Sequence, residues 1–261
     1  MNKRLWIVIG ILTIGIIVGA AIYAGVGSGN VNVDDLDGEK LITQEIINKA
    51  QGDNADENHI PDHHIGDVDS KVVVIMYEDF ACSHCNQISG DVEMIIEDYK
   101  DKVLFIHRNF NLGYPNSQVT LQAAEAAYLT GGEDAYWQMN RLLFSTQLWI
   151  SQAMPEGERK ETLNGYAELI GLDVEKFNKN IDEKRKNGIQ SKINRDTSLG
   201  RKAGVSGTPS IFVNGKKVDP SNTDIREAII NALKDAGISV DDIAPAITPA
   251  DDDPVVDADD Q

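Results

Sequence analysis

The chain has 261 residues, 41% hydrophobic and 25% charged, which is enough for one good-sized globular domain with appendages. Its formal net charge of -18 repels nucleic-acid phosphates and excludes a nucleic-acid partner. The two cysteines form a single C-x-x-C, leaving none for a further structural disulfide or a four-sulfur metal site.

Lys3 and Arg4 precede an uncharged run of 22 residues, Leu5 to Val26. As a helix it would span roughly 33 Å, about one bilayer core. A secretory signal has a shorter apolar run and a small-x-small cleavage site, which is missing here. The reading is an uncleaved anchor, residues 1–27 being a short cytoplasmic start and one N-terminal transmembrane helix, with the alternative of a long cleaved signal. The two basic residues hold the N-terminus in the cytoplasm, so the rest of a single-pass protein of the cell membrane lies outside it. Residues 28–57, rich in Gly, Asn and Asp, read as a flexible tether.

The folded domain is expected over 58–237. Lys71 to Tyr77 (K-V-V-V-I-M-Y) predicts a buried strand. Ile88, Val92, Ile95, Ile96 and Tyr99 recur at helical spacing after Cys82, and Lys102 to Phe110 predicts a second strand. Strand, helix, strand suggests a βαβ unit and an α/β fold. A helical insertion is expected at about 114–198. Its signals are a start at Pro115-Asn116-Ser117, a helix through Tyr136, Met139 and Leu143, another through Leu163 to Ile170, and a fourth capped by Asp173. Ser210 to Val213, Asn214-Gly215 and Lys216 to Val218 predict a hairpin with a type I′ turn. Ile225 to Leu233 predicts a closing helix. Residues 238–261 carry eight Asp, no Lys or Arg, and three Pro, which predicts an acidic disordered tail.

The chemistry converges on Cys82-Ser83-His84-Cys85. Cys82 falls at a helix N-terminus, where unsatisfied N–H groups favour a thiolate. His84 can add charge or a hydrogen bond to the same sulfur. Cys85, one turn on, is expected to be buried and to serve as the resolving thiol. Against this stand a structural disulfide, half of a zinc site, and two inert thiols. A loop this short is a weak staple, about 2 kcal/mol against about 4.7 for a loop of roughly 100 residues. A zinc site needs two more ligands, and only His59, His63, His64, His84 and His107 supply imidazoles. No metal and no cofactor is expected. His59, His63 and His64, beside Asp62, read as a solvated lead-in, and His107 as a strand residue.

The strand before Cys82, the C-S-H-C, and Val205-Ser206-Gly207-Thr208-Pro209-Ser210 about 125 residues later together resemble the thioredoxin superfamily. The helical block between them, and the lead-in over residues 64–80, resemble its membrane-anchored DsbA-like branch, across roughly residues 59–237. The resemblance implies a thioredoxin-like fold with an inserted helical subdomain and protein thiol–disulfide oxidoreductase activity. It implies a cis Pro209, with the Thr208 backbone facing the sulfurs and gripping substrate peptide. It implies exported cysteine-containing substrates and a membrane quinone-linked partner for re-oxidation. The expected function is an extracytoplasmic oxidase; a reductase or isomerase of the same fold, or a non-catalytic tethered binding module, are the alternatives. One position departs from the pattern. Many relatives carry an acid six residues before the first cysteine, where this chain has Met76. Glu78, two residues on and on the same face of the strand, is the candidate proton relay for Cys85, and Asp79 points to the opposite face.

Overall fold

The computed structural model describes residues 60–150 and 154–241. The expected anchor (1–27), the tether (28–57), His59, and tail residues 242–261 lie outside the described residues. Among the described residues, no helix is long and apolar enough to cross a membrane.

The first element is β1 (His63–Gly66), followed by β2 (Val73–Glu78), α1 (Ser83–Tyr99) and β3 (Leu104–Asn109). Then come five helices in succession: α2 (Ser117–Gly131), α3 (Glu133–Phe144), α4 (Glu156–Leu169), α5 (Val174–Asp182) and α6 (Ile189–Lys202). The hairpin β4 (Ser210–Val213) and β5 (Lys216–Val218) follows, and α7 (Asn222–Asp235) closes the domain. The five-stranded sheet has the order β1-β3-β2-β4-β5. Strands β2 and β3 are parallel, as the βαβ pattern predicts, with Val73 opposite Leu104 and Met76 opposite His107. The other three pairings are antiparallel.

Every residue of β2 and β3 is buried, because helices cover both faces of the sheet's centre. Val74 and Met76 share one core with Val92, Ile95 and Ile96 of α1 and with Tyr136 and Met139 of α3. On the other face, Gly200 lets α6 approach closely: a Cβ there would sit 2.8 Å from the Phe110 ring and 3.0 Å from that of Tyr77. The hairpin turn forms as predicted, with positive φ at both Asn214 (46°) and Gly215 (81°). The side chain of Asp173 accepts from Lys176 N–H and caps α5.

Two expectations need correction. His63 and His64 are not a solvated lead-in but the start of an edge strand. His63 is fully buried opposite His107, stacked 3.5 Å from the Tyr136 ring. H-H-I-G has no apolar alternation, so its strand character comes from pairing with β3 and from Trp137 Nε1, which donates to His64 O. The helical insertion expected to about 198 also ends too early: α6 runs on to Lys202, and no separate helix was marked for it. Its buried face mixes Ile189, Ile193 and Leu199 with Lys192, Asp196 and Thr197, which masks the apolar stripe.

Packing also continues past Gly237. Ile238 and Val240 lie against the core, and Lys102 Nζ donates to Ser239 O at 2.8 Å. Truncation after Gly237 should therefore cost about 1–3 kcal/mol relative to truncation after Asp241. Thermal unfolding of the two truncated chains checks this, with equal midpoints the contrary result.

Candidate active site

The parallel β2–α1–β3 unit places the start of α1 at the carboxyl end of the sheet. Cys82 occupies the N-cap position of α1, with φ -87° and ψ 123°. Its N–H donates to Asp79 O at 2.9 Å, and its carbonyl accepts from Asn86 N–H at 3.1 Å. No side chain caps this helix, so the N–H groups of its first turn remain open to the sulfur. Both cysteines are free thiols; Cys82 is 4% exposed and Cys85 0%.

The antiparallel pairing of β2 with β4 sets Ser210 opposite Tyr77 and so brings Thr208 to the cysteines. The Thr208–Pro209 peptide bond is cis. As a thiol, Cys82 donates to the Thr208 carbonyl at 3.4 Å. The Thr208 hydroxyl is buried without a nitrogen or oxygen partner and faces the two sulfurs.

The two thiols are electrostatically opposite. The Cys85 S–H group donates to Cys82 and is the main cause of its acidity. With the Thr208 hydroxyl and the N–H groups of Cys85 and His84, it overcomes burial and lowers Cys82 from 9.0 to about 5. Cys85 is pushed far up, first by burial, then by that same hydrogen bond and by the charge of Glu78. His84 therefore acts through its peptide N–H, while its side chain is exposed.

Glu78 ends β2 and is buried. Burial, and second the charge on Cys82, raise its carboxyl to about 8, so at neutral pH it is largely a protonated acid. Its Oε2 lies 3.5 Å from His107 Nε2. Burial, and second the charge of His63, lower His107 to about 3, so this contact joins two neutral groups. Tyr136 Oη lies 2.7 Å from His107 Nδ1 and orients the ring. Glu78 also lines a cavity of about 290 Å³ between α1 and α3, together with Asn140, Arg141 and Glu93. Glu78 Oε1 and Asn140 Nδ2 are both buried without a hydrogen-bond partner, and both residues line that space.

The structure thus brings together Cys82, Cys85, Thr208, Pro209 and Glu78. Sequence reasoning missed His107, Tyr136 and Asn140. The pairing of β2 with β3 puts His107 opposite Met76, and no local pattern in the sequence marks that pairing. Among the described residues, no group of three or more His, Cys, Asp or Glu is placed to hold a metal ion.

The family model described as thioredoxin matches residues 58–232. Of solved structures, BdbD from Bacillus subtilis aligns with a TM-score of 0.58 at 24% identity, covering 66% of this chain and 93% of that one. The thiol-disulfide exchange protein alpha-DsbA2 from Wolbachia pipientis aligns with a TM-score of 0.56 at 21% identity, covering 72% and 96%. DsbA2 from Pseudomonas aeruginosa gives 0.53 at 20% identity, covering 67% and 97%. Among curated sequences, the Na(+)/H(+) antiporter NhaA 1 of Salinispora arenicola is 33% identical over 159 residues, which is 60% of this chain and 22% of the antiporter. The chain thus spans about a fifth of the length of the curated relatives it matches, and their name describes the whole transporter. The matched residues contain the β2–α1–β3 unit, both cysteines and the Thr208–Pro209 loop: the chain belongs to the thioredoxin family and has the fold of the DsbA-like thiol–disulfide oxidoreductases.

Proposed function

We propose that the protein is a dithiol oxidase held outside the cytoplasm by the Leu5–Val26 segment, introducing disulfides into exported proteins. The observation that carries this reading is the opposition of the two sulfurs: Cys82 is lowered to about 5 and Cys85 raised. A substrate thiolate attacks Cys82 Sγ and the Cys82–Cys85 bond breaks. Cys85 leaves with the electron pair and takes a proton, for which the neutral Glu78 carboxyl is the proposed donor. A second substrate thiolate then attacks the substrate sulfur of the mixed disulfide, and Cys82 departs as a stable thiolate. Two electrons pass to the protein, and a membrane quinone-linked partner accepts them. An acidic leaving thiol makes the couple oxidising, because the reduced form is the stabilised one. Glu78 is then re-protonated from solvent.

Equilibration of the Cys82–Cys85 couple with glutathione tests the direction. A potential nearer about -120 mV than about -270 mV supports the oxidase, and the lower value supports a reductase. Glu78→Gln should slow single-turnover opening of the oxidised protein about tenfold or more, and unchanged opening removes the relay. Digestion of the membrane fraction by protease from outside tests the anchor; a soluble chain beginning near residue 25–30 overturns it.

A further inference from the structure

Asp79 follows Glu78 but points the other way, and it is fully buried. Its Oδ1 accepts from Ala81 N–H at 2.9 Å, inside the turn that carries Cys82. Its Oδ2 accepts from Leu112 N–H at 2.9 Å and from the Ser117 hydroxyl at 2.6 Å. Ser117 Oγ in turn accepts from Tyr114 N–H at 3.1 Å. One carboxylate therefore ties the cysteine turn to the segment 111–117. That segment is anchored by Asn111 N–H on Thr197 Oγ1, yet exposes Gly113, Tyr114 and Pro115. Tyr114, at 48% exposure, is one of the few large apolar side chains that the domain leaves in solvent.

We propose that Asp79 is a positioning residue for thiol exchange, holding loop 111–116 as a wall of the site so that Tyr114 receives an apolar side chain of the substrate next to its cysteine. Three donors on two oxygens make a carboxylate the fitting side chain, since an amide offers one acceptor oxygen and would set its NH2 against a donor. Burial raises the Asp79 carboxyl first, and the charge of Cys82 adds to that rise, so the two groups oppose each other's ionisation. Asp79 thus opposes the acidity that the Cys85 thiol, and after it the N–H groups of the first turn, give Cys82.

The proposal rests on Cys82 being the sulfur that substrate meets. The test is steady-state oxidation of a cysteine-containing peptide, with alkylation of Cys82 followed against pH. Asp79→Asn should raise KM about tenfold, more than it lowers kcat, and should shift Cys82 alkylation to lower pH. Ser117→Ala keeps the charge and loosens the loop, so KM should rise about threefold with the alkylation profile unmoved. Tyr114→Ala should raise KM for peptides with an apolar neighbour to the cysteine and not for glycine-flanked ones. Wild-type KM in both Ser117→Ala and Tyr114→Ala overturns the proposal, even where Asp79→Asn does not fold. So does a folded Asp79→Asn with both readouts unchanged. A Cys82→Ser protein that keeps turning over would instead sink the oxidase reading itself.

Discussion

Cys82→Ser should lower peptide-thiol oxidation by on the order of a thousandfold or more, because the sulfur that is attacked and later leaves is gone. Wild-type Cys82 should be alkylated with a midpoint near pH 5, since the Cys85 thiol and the N–H groups of the first turn of α1 hold its negative charge. His84→Ala should leave that midpoint nearly unmoved, because the His84 group that reaches the sulfur is its amide, which alanine keeps. The linkage to folding has a definite sign. The folded value of about 5 lies below the ordinary 9.0, so the folded reduced protein releases this proton more readily than the unfolded chain. The stabilisation is complete above pH 9, shrinks as pH falls toward 5, and is absent below it. Cys85, raised by burial, works against stability only as pH climbs past its ordinary 9.0. The oxidised form has neither thiol. Urea unfolding of the two redox forms between pH 5 and 9 should therefore show the reduced form gaining relative to the oxidised one as pH rises. A constant difference, or an oxidised form that stays the more stable at pH 7, would defeat the oxidase reading.

Asp62→Ala should destabilise the domain by about 3–5 kcal/mol, a fall in Tm on the order of 10 °C. Asp62 Oδ2 accepts from Arg108 Nη2 at 2.6 Å and from Nε at 3.2 Å, while Oδ1 accepts from Lys192 Nζ at 3.1 Å. All three side chains are buried, so removing the carboxylate strands part of two cations away from water. Arg108 keeps Tyr77 Oη at 2.9 Å and Lys192 keeps Asp196 at 2.6 Å, which limits the loss. By contrast, Glu97→Ala breaks an exposed pair with Lys100 and should cost less than about 1 kcal/mol. Burial alone would raise the Asp62 carboxyl; Arg108 and Lys192 reverse this and hold it well below 3.8. Its stabilisation is thus present above that value and lost as pH falls through the lower folded one. His63 has the reverse sign. Burial would lower it, but Glu125 at 3.0 Å and Glu133 at 3.3 Å raise it above 6.5. Its contribution is whole below 6.5 and disappears as pH rises through the folded value. Thermal melts of wild type, Asp62→Ala and Glu97→Ala, set side by side, check the ordering.

Much of this could be read along the chain because its causes are local. The thiol pair at a strand–helix junction, the parallel unit around it, the Asn214-Gly215 turn and the cap at Asp173 each depend on neighbours a few residues apart, through periodicity, turn dihedrals and helix-end geometry. The direction of the Cys82 shift was expected from its place at the start of α1, but its first cause, the hydrogen bond from the Cys85 thiol, is a matter of how the two side chains pack. The choice of which polar groups meet in the interior belongs to the tertiary structure. Asp62 finds Lys192 across 130 residues, and Asn109 reaches Asp196 across 87. Partners so distant leave no pattern in a single sequence, and buried polar positions even blur the stripe that would have revealed α6. His63 read as a solvated lead-in for the same reason: its strand exists only because β3 and α3 are there to receive it. At the site itself, composition and spacing determined that two cysteines act as a pair. Only the packing of β2 against β3 and β4 decided that Glu78 is a neutral acid against His107, that Asp79 holds the loop, and that the His84 amide, with its ring in solvent, faces the sulfur.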